Sequence, residues 1–284
     1  MKKILVTGAS GFVGSRFVQA MQSRYSLLTP GHREFDITSA EAVNSYMDAN
    51  RPDAILHLAA ISNTGYCEEH PEESHLVNVV GVENLATAAL RHEAKFIFFS
   101  SDQVYNGNNE TGLLDEALPV SPENHYGRHK LLAEQRATEI YEATVALRAT
   151  WMYDAAREGM PTHRNFIINI KEAIENGTPL HFATREYRGI THIDEVISNL
   201  QHTFNLKGGV YNFGAENTLN TYETALAYLD ILQYRGKEII SPDTARFPEH
   251  IRNISISMKK AREASDGAIQ FSTTIEGLKR FEGR

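Results

Sequence analysis

A single cysteine, Cys67, excludes an intramolecular disulfide and any metal cluster built on cysteine ligands. Such scarcity suits a reducing, cytoplasmic compartment. Long apolar runs are missing as well. Nothing approaches the roughly 20 consecutive apolar residues that a membrane-spanning helix requires, so no membrane partner is expected. The opening Met1-Lys2-Lys3-Ile4-Leu5-Val6 imitates the charged and apolar regions of an export signal, but Thr7-Gly8-Ala9-Ser10-Gly11 ends the apolar stretch, and no export signal is expected. Excess positive charge is also absent. The formal net charge is -8 and the basic residues are scattered, so the phosphate-tracking field of a nucleic-acid binder is missing. Low-complexity tracts and internal repeats are lacking too.

What remains is ordinary folded composition, 42% hydrophobic and 23% charged, in a chain of 284 residues long enough for one large α/β unit or a main domain with a smaller partner. Strand-length apolar runs alternate with amphipathic helix-length stretches through the first half, a pattern that demands a parallel sheet covered on both faces. The reading places strands at Ile4 to Thr7, Tyr25 to Thr29, Asp53 to Leu58, Lys95 to Ser100 and Thr144 to Arg148. Helices are expected from Phe12 to Ser23, from a Thr38–Glu41 capping box to Asn50, from Pro71 to His92, and from Tyr126 to Glu142. The fold class is α/β, a doubly wound, Rossmann-type parallel sheet with a smaller C-terminal α/β substrate lobe. Residues 1–150 form the dinucleotide-binding domain, which also receives a segment near 185–212. Residues 151–284 are mainly the substrate lobe, with a helix near Asn165 to Asn176 and a strand near Leu180.

Gly8, Gly11 and Gly14 follow the first strand at three-residue intervals, where the chain must turn tightly and let phosphates approach backbone amides at a helix N-terminus. A glycine triplet by itself also suits a plain tight turn, and its spacing differs from GxGxxG. Position at the first βα junction makes cofactor binding the leading reading. No acid ends the second strand to hold a ribose 2′-hydroxyl. His32 and Arg33 stand there instead, which favours NADP(H), with NAD(H) the other choice and a solvated role for Arg33 still open.

Tyr126 and Lys130 are four apart at a helix start and share one face. Of the twelve tyrosines, only Tyr126 has lysine in that place. A nearby ammonium favours the phenolate, although lowering a phenol by about three pH units needs about 4 kcal/mol, of which Lys130 can supply only part. Alone, the pair also fits an exposed helical surface. Ser100-Ser101-Asp102 follows the fourth strand at the sheet's carboxyl edge, either as a hydroxyl for a substrate carbonyl or as a loop turn.

Together these words resemble the extended short-chain dehydrogenases: Thr7 to Gly14, His57-Leu58-Ala59-Ala60, Asn78, Ser100 to Tyr105, and Tyr126-Gly127-Arg128-His129-Lys130. Within them, Asp36-Ile37-Thr38, Arg51-Pro52-Asp53 and Leu147 to Tyr153 are similar to the dTDP-4-dehydrorhamnose reductase branch, and the resemblance spans nearly the whole chain. It implies a cofactor groove in which Gly8, Gly11 and Gly14 carry the pyrophosphate with Ser10, Phe12 and Val13 beside them. Asp36 and Ile37 border the adenine there, and Leu58, Ala59 and Ala60 line the cleft. It further implies that Ser101 polarises a keto oxygen and Tyr126 exchanges the proton. Lys130 binds the nicotinamide ribose, and Asn78 supports its helix and a relay water. Asp102 and Trp151 fall where that branch touches the sugar, although Trp151 also suits simple packing.

The implied activity is NAD(P)-dependent reduction of a 4-keto group on a nucleotide-linked deoxysugar, by a chain that could form a homodimer. Asn63 to Glu68 replaces the branch's usual acidic word, and Ser101 replaces its threonine while keeping the hydroxyl. An epimerase or dehydratase of the same superfamily is an alternative, though a dehydratase would carry Asp-Glu where Asp102-Gln103 stands. A second alternative is a non-catalytic NADP-binding subunit resembling the β subunit of methionine adenosyltransferase. His57, His125 and His129 fall in no ligand spacing with carboxylates, so no metal role is assigned.

Overall fold

The computed structural model describes residues 1–283. In chain order the first half runs β1 (Lys3–Thr7), α1 (Phe12–Met21), β2 (Ser26–Leu28), α2 (Ala40–Asn50), β3 (Ala54–His57), α3 (Thr64–Glu69), α4 (Pro71–His75), a π-helical turn (Leu76–Val80) and α5 (Gly81–Arg91). It continues with β4 (Lys95–Ser101), a 3-10 turn (Asp102–Tyr105), α6 (His125–Ile140) and β5 (Val145–Ala149). The remainder comprises β6 (Trp151–Tyr153), α7 (Phe166–Asn176), β7 (Leu180–Ala183), β8 (Glu186–Tyr187), β9 (Ile190–His192), α8 (Ile193–Thr203), β10 (Gly209–Phe213), α9 (Thr221–Ile231), β11 (Ile240–Asp243), β12 (Arg252–Asn253), α10 (Lys259–Ala264) and α11 (Thr274–Phe281).

Six strands form one sheet in the order β10-β5-β4-β3-β1-β2, every neighbouring pair parallel. Parallel strands need both faces covered, and the side-chain alternation meets that need. Ile4, Val6, Leu56, Ile97 and Leu147 face one core with Phe17 of α1 and Ile197 and Leu200 of α8. Leu5, Ile55, Phe96, Phe98 and Ala146 face the other with Met47 of α2, Leu85 of α5 and Ala133 of α6. The chain reverses its winding between β1 and β3, and that switch point is where ligands bind in open α/β sheets. A third apolar cluster, including Phe166, Ile170, Tyr228, Leu229 and Leu278, builds the lobe.

Two expectations are corrected. The Thr38–Glu41 capping box does not form. Asp36 Oδ1 takes the Thr38 hydroxyl at 2.7 Å and its amide at 2.9 Å, and Ser39 caps α2 by accepting from Ala42 N at 3.2 Å. The helix foreseen from Pro71 to His92 is continuous in direction but not in type, because the π-helical turn inserts one extra residue between α4 and α5. Among the described residues no helix is long and apolar enough to cross a membrane.

A buried ion pair joins the two halves. Arg16 Nε of α1 lies 2.7 Å from Asp154 Oδ2 just beyond β6, with the side chains 1% and 2% exposed. Removing the acid strands a guanidinium out of reach of water. Asp154→Asn is expected to cost about 3–5 kcal/mol, read as a lower urea midpoint; a midpoint equal to the parent protein's would contradict this account.

Candidate active site

β1 and β3 end side by side, and the chain turns between them at Gly8 with a φ of +69°. A Cβ at Gly8 would sit 2.6 Å from Ala59 N, and one at Gly14 would sit 2.1 Å from Gly8 O. Glycine is therefore required for backbone to meet backbone here. α1 then opens at Gly11 with no side chain capping its first amides and no acid in its first turn. Those free donors and the positive helix end fit a pyrophosphate.

A cleft of about 1230 Å³ runs from this turn along the carboxyl edge of the sheet into the lobe. Gly8, Gly11, Phe12, Val13, Gly14, Leu58 and Ala60 line it, as do Ser101, Asp102, Tyr126, Lys130 and Trp151. Ser10, His32, Arg33, Asp36, Ile37, Ala59 and Asn78 lie outside that lining. His32 and Arg33 are exposed on the loop after β2. Asp36 is occupied by Thr38, whose two hydrogen bonds hold its carboxyl below the usual range. Ile37 is in the core. Asn78 acts from behind the wall: it accepts from Ile61 N at 3.0 Å and donates to Ile61 O at 2.9 Å, fixing the chain that leaves β3.

The three residues expected to be catalytic, Ser101, Tyr126 and Lys130, converge on one wall. Ser101 is the last residue of β4, and its Oγ accepts from Gln103 N and donates to Asp102 Oδ1, both at 3.2 Å. Asn124 caps α6 by accepting from Gly127 N at 2.7 Å, which sets Tyr126 in the first turn beside the Ser101 hydroxyl. One turn on, Lys130 Nζ donates to Phe99 O at 2.8 Å and lies 5.8 Å from the Tyr126 ring centre. Ser101, Tyr126 and Lys130 are 7%, 8% and 2% exposed, so their charges are poorly screened.

That burial corrects the expectation about the phenol. Desolvation, with the Asp102 charge adding to it, pushes Tyr126 up and outweighs its hydrogen bond to Ser101, so the proton stays on. The ammonium responds in its own direction: burial pulls Lys130 down to about 8. A neutral phenol is the form that can donate a proton.

Sequence reasoning missed the groups facing this wall from the lobe. Arg188 stacks over Trp151 at 4.9 Å and reaches Asp102 Oδ2 at 3.5 Å, while its buried Nε has no hydrogen-bond partner among the described residues. Arg252 donates to Gln103 Oε1 at 2.8 Å and to Asn106 Oδ1 at 2.9 Å and pairs with Glu186. Arg188 follows the two-residue strand β8 and Arg252 opens the two-residue strand β12, both too short to give any periodic signal. One more signal was readable and unused: Arg148 inside the apolar run of β5 needs a buried acid, and Glu134 of α6 supplies it at 2.7 Å. Among the described residues no group of three or more His, Cys, Asp or Glu gathers as a metal site.

The sequence pattern of the family described as RmlD substrate binding domain matches residues 1–281. The chain belongs to that family. A dTDP-4-dehydrorhamnose reductase of Aggregatibacter actinomycetemcomitans is 27% identical over 239 residues, 81% of this chain and 79% of the relative. The crystal structure of dTDP-4-dehydrorhamnose reductase from Yersinia enterocolitica superposes with a TM-score of 0.84 at 25% identity, covering 100% of this chain and 99% of that one. The dTDP-4-dehydrorhamnose reductase of Bacillus anthracis, solved with NADP, matches in fold with a TM-score of 0.84 at 21% identity over 99% and 98% of the chains. The RmlD-family chain is thus an NAD(P)-dependent oxidoreductase of the short-chain dehydrogenase/reductase class.

Behind the wall, His57 of β3 is held neutral: Nδ1 lies 2.6 Å from Thr7 Oγ1, and burial followed by the Lys130 charge pushes it down to about 3. Unfolded, a histidine binds its proton near 6.5, so at lower pH the unfolded chain takes up a proton that the folded chain refuses. The contribution is complete above pH 6.5 and is lost as pH falls toward about 3. The urea midpoint should drop between pH 7.5 and pH 5, and drop less in His57→Gln; an equal drop in both proteins would remove His57 as a cause.

Proposed function

We propose that this chain reduces the 4-keto group of a nucleotide-linked deoxysugar, using NADPH in the cytoplasm. One observation carries the reading: a serine hydroxyl, a protonated phenol and a buried ammonium converge on the wall of a cleft that begins at an uncapped glycine turn. A bound reduced nicotinamide would supply the hydride. Gly8, Gly11 and Gly14 would hold its pyrophosphate, and Lys130, with donors beyond the one given to Phe99 O, would hold its ribose. Ser101 Oγ turns from Asp102 to bond the carbonyl oxygen, and Tyr126 releases its proton to that oxygen as negative charge develops.

The cleft volume exceeds the roughly 300–1,000 Å³ of a small-ligand pocket, which suits two large ligands laid end to end. At the lobe end Arg188 and Arg246 offer donors to a diphosphate, and Phe182 and Phe247 offer faces to a base. Reduction is favoured over dehydration because Gln103 stands where an acid would be needed. Its Oε1 is engaged by Arg252 Nη2 at 2.8 Å and Asn124 Nδ2 at 3.2 Å.

Purified protein offered NADPH with a panel of keto-sugar nucleotides should consume the cofactor with a dTDP-linked 4-keto-6-deoxysugar. Tyr126→Phe should fold, bind NADPH and lose about 10²–10⁴-fold in kcat. Parent-like turnover in that variant would remove the mechanism. Arg33, exposed after β2, is assigned to the 2′-phosphate, so Arg33→Glu should weaken NADPH by about tenfold or more while leaving NADH nearly unchanged. Equal losses for both cofactors would overturn that assignment.

A further inference from the structure

We propose that Glu134 is a positioning residue for the proton-transfer pair, the buried counter-charge that keeps Lys130 ionised while fastening its helix to the strand that ends in Ser101. The inference rests on Tyr126 and Lys130 forming that pair and is independent of the sugar. α6 places Glu134 four residues after Lys130, on the same face, and each is 2% exposed. The carboxylate is fixed from the sheet side: Ser100 Oγ donates to Oε1 at 2.5 Å, Arg148 Nε donates to Oε1 at 3.0 Å, and Arg148 Nη2 donates to Oε2 at 2.7 Å. Ser100 adjoins Ser101 on β4, so one carboxylate holds both the strand with the hydroxyl and the helix with the phenol and the ammonium.

Among the described residues, the other titratable groups around Lys130 are held neutral. From its own helix come Tyr126, held protonated, and Glu134. From β4 comes the Phe99 carbonyl, from β3 His57, kept neutral by burial, and from α3 the Cys67 thiol, which burial pushes up. Asp102 acts on Tyr126 and is answered by Arg188 and Arg252. The Glu134 carboxylate is the charge that most opposes the desolvation of Lys130.

A mere structural bolt would set stability and leave the lysine's titration alone, which gives the test. Lysine ε-carbon NMR, with the Lys130 signal assigned through a Lys130→Arg protein, follows the titration without substrate or cofactor. Failure of the proposed reaction is therefore read separately from failure of this inference. The parent protein should titrate near pH 8. In Glu134→Gln/Arg148→Met, which removes the acid without stranding the arginine, the midpoint should fall by about one pH unit or more, a tenfold loss of proton affinity. Glu134→Met/Arg148→Met serves the same purpose should the first pair not fold. Glu134→Asp, which retains the charge, should hold the midpoint closer to the parent value. A midpoint within about 0.3 pH unit of the parent's in a folded charge-free variant would overturn the proposal, whatever that variant's stability.

Discussion

A positive charge enclosed at the edge of a parallel sheet is the constraint around which this molecule is organised. Lys130 has almost no access to water, and an ammonium in that position persists only if carbonyls and a counter-charge replace its hydration. The Phe99 carbonyl accepts its hydrogen bond, and the Glu134 carboxylate, itself paired with Arg148, adds favourable charge from one turn further along α6. The same burial raises the Tyr126 phenol and lowers the lysine, which leaves the phenol protonated at the wall of the cleft while the lysine keeps its donors for a ligand.

The ion pair does not end at Arg148. Its Nη1 donates to Tyr105 OH at 2.9 Å, and Tyr105 OH donates to Asn212 Oδ1 at 2.9 Å. The amide of Asn212 then donates to Leu114 O and Ser257 O at 2.9 and 3.1 Å. A continuous polar thread thus passes from α6 through β5 and β10 to the segment beyond β12. On the opposite flank, the Arg16–Asp154 pair joins the glycine-turn helix to the chain leaving β6. The cleft lies between two buried polar ties, each far more directional than apolar packing, which fixes the orientation of the lobe against the sheet.

Much of this was legible from residues alone because the relevant signals are local. The glycine turn, the four-residue step from Tyr126 to Lys130, and the alternation of Ile4, Leu5 and Val6 each depend on nearby backbone geometry. What escaped depends on distant parts of the chain. Nothing in the words around Arg188 or Arg252 announces that they face Asp102 and Gln103, since both distances are set by how the lobe folds back. The Thr38 cap failed for a nearer reason: Asp36 competes for the same hydroxyl. The phenol's direction was misjudged because sequence spacing reveals the neighbouring lysine but not the depth of burial, and depth is the larger effect.

The π-helical turn at Leu76–Val80 carries a consequence for how this part of the chain can vary. One residue more than an α-helix requires rotates everything after it by about 100° relative to what precedes it. That offset brings Asn78 onto Ile61 and, immediately afterwards, turns Val82, Leu85 and Ala89 into the core. Side chains here can be exchanged for others of similar size, but the residue count cannot change. A single deletion would swing either the amide or the apolar stripe to the wrong side, so insertions and deletions among relatives should collect in the exposed 109–112 stretch and leave this turn at constant length.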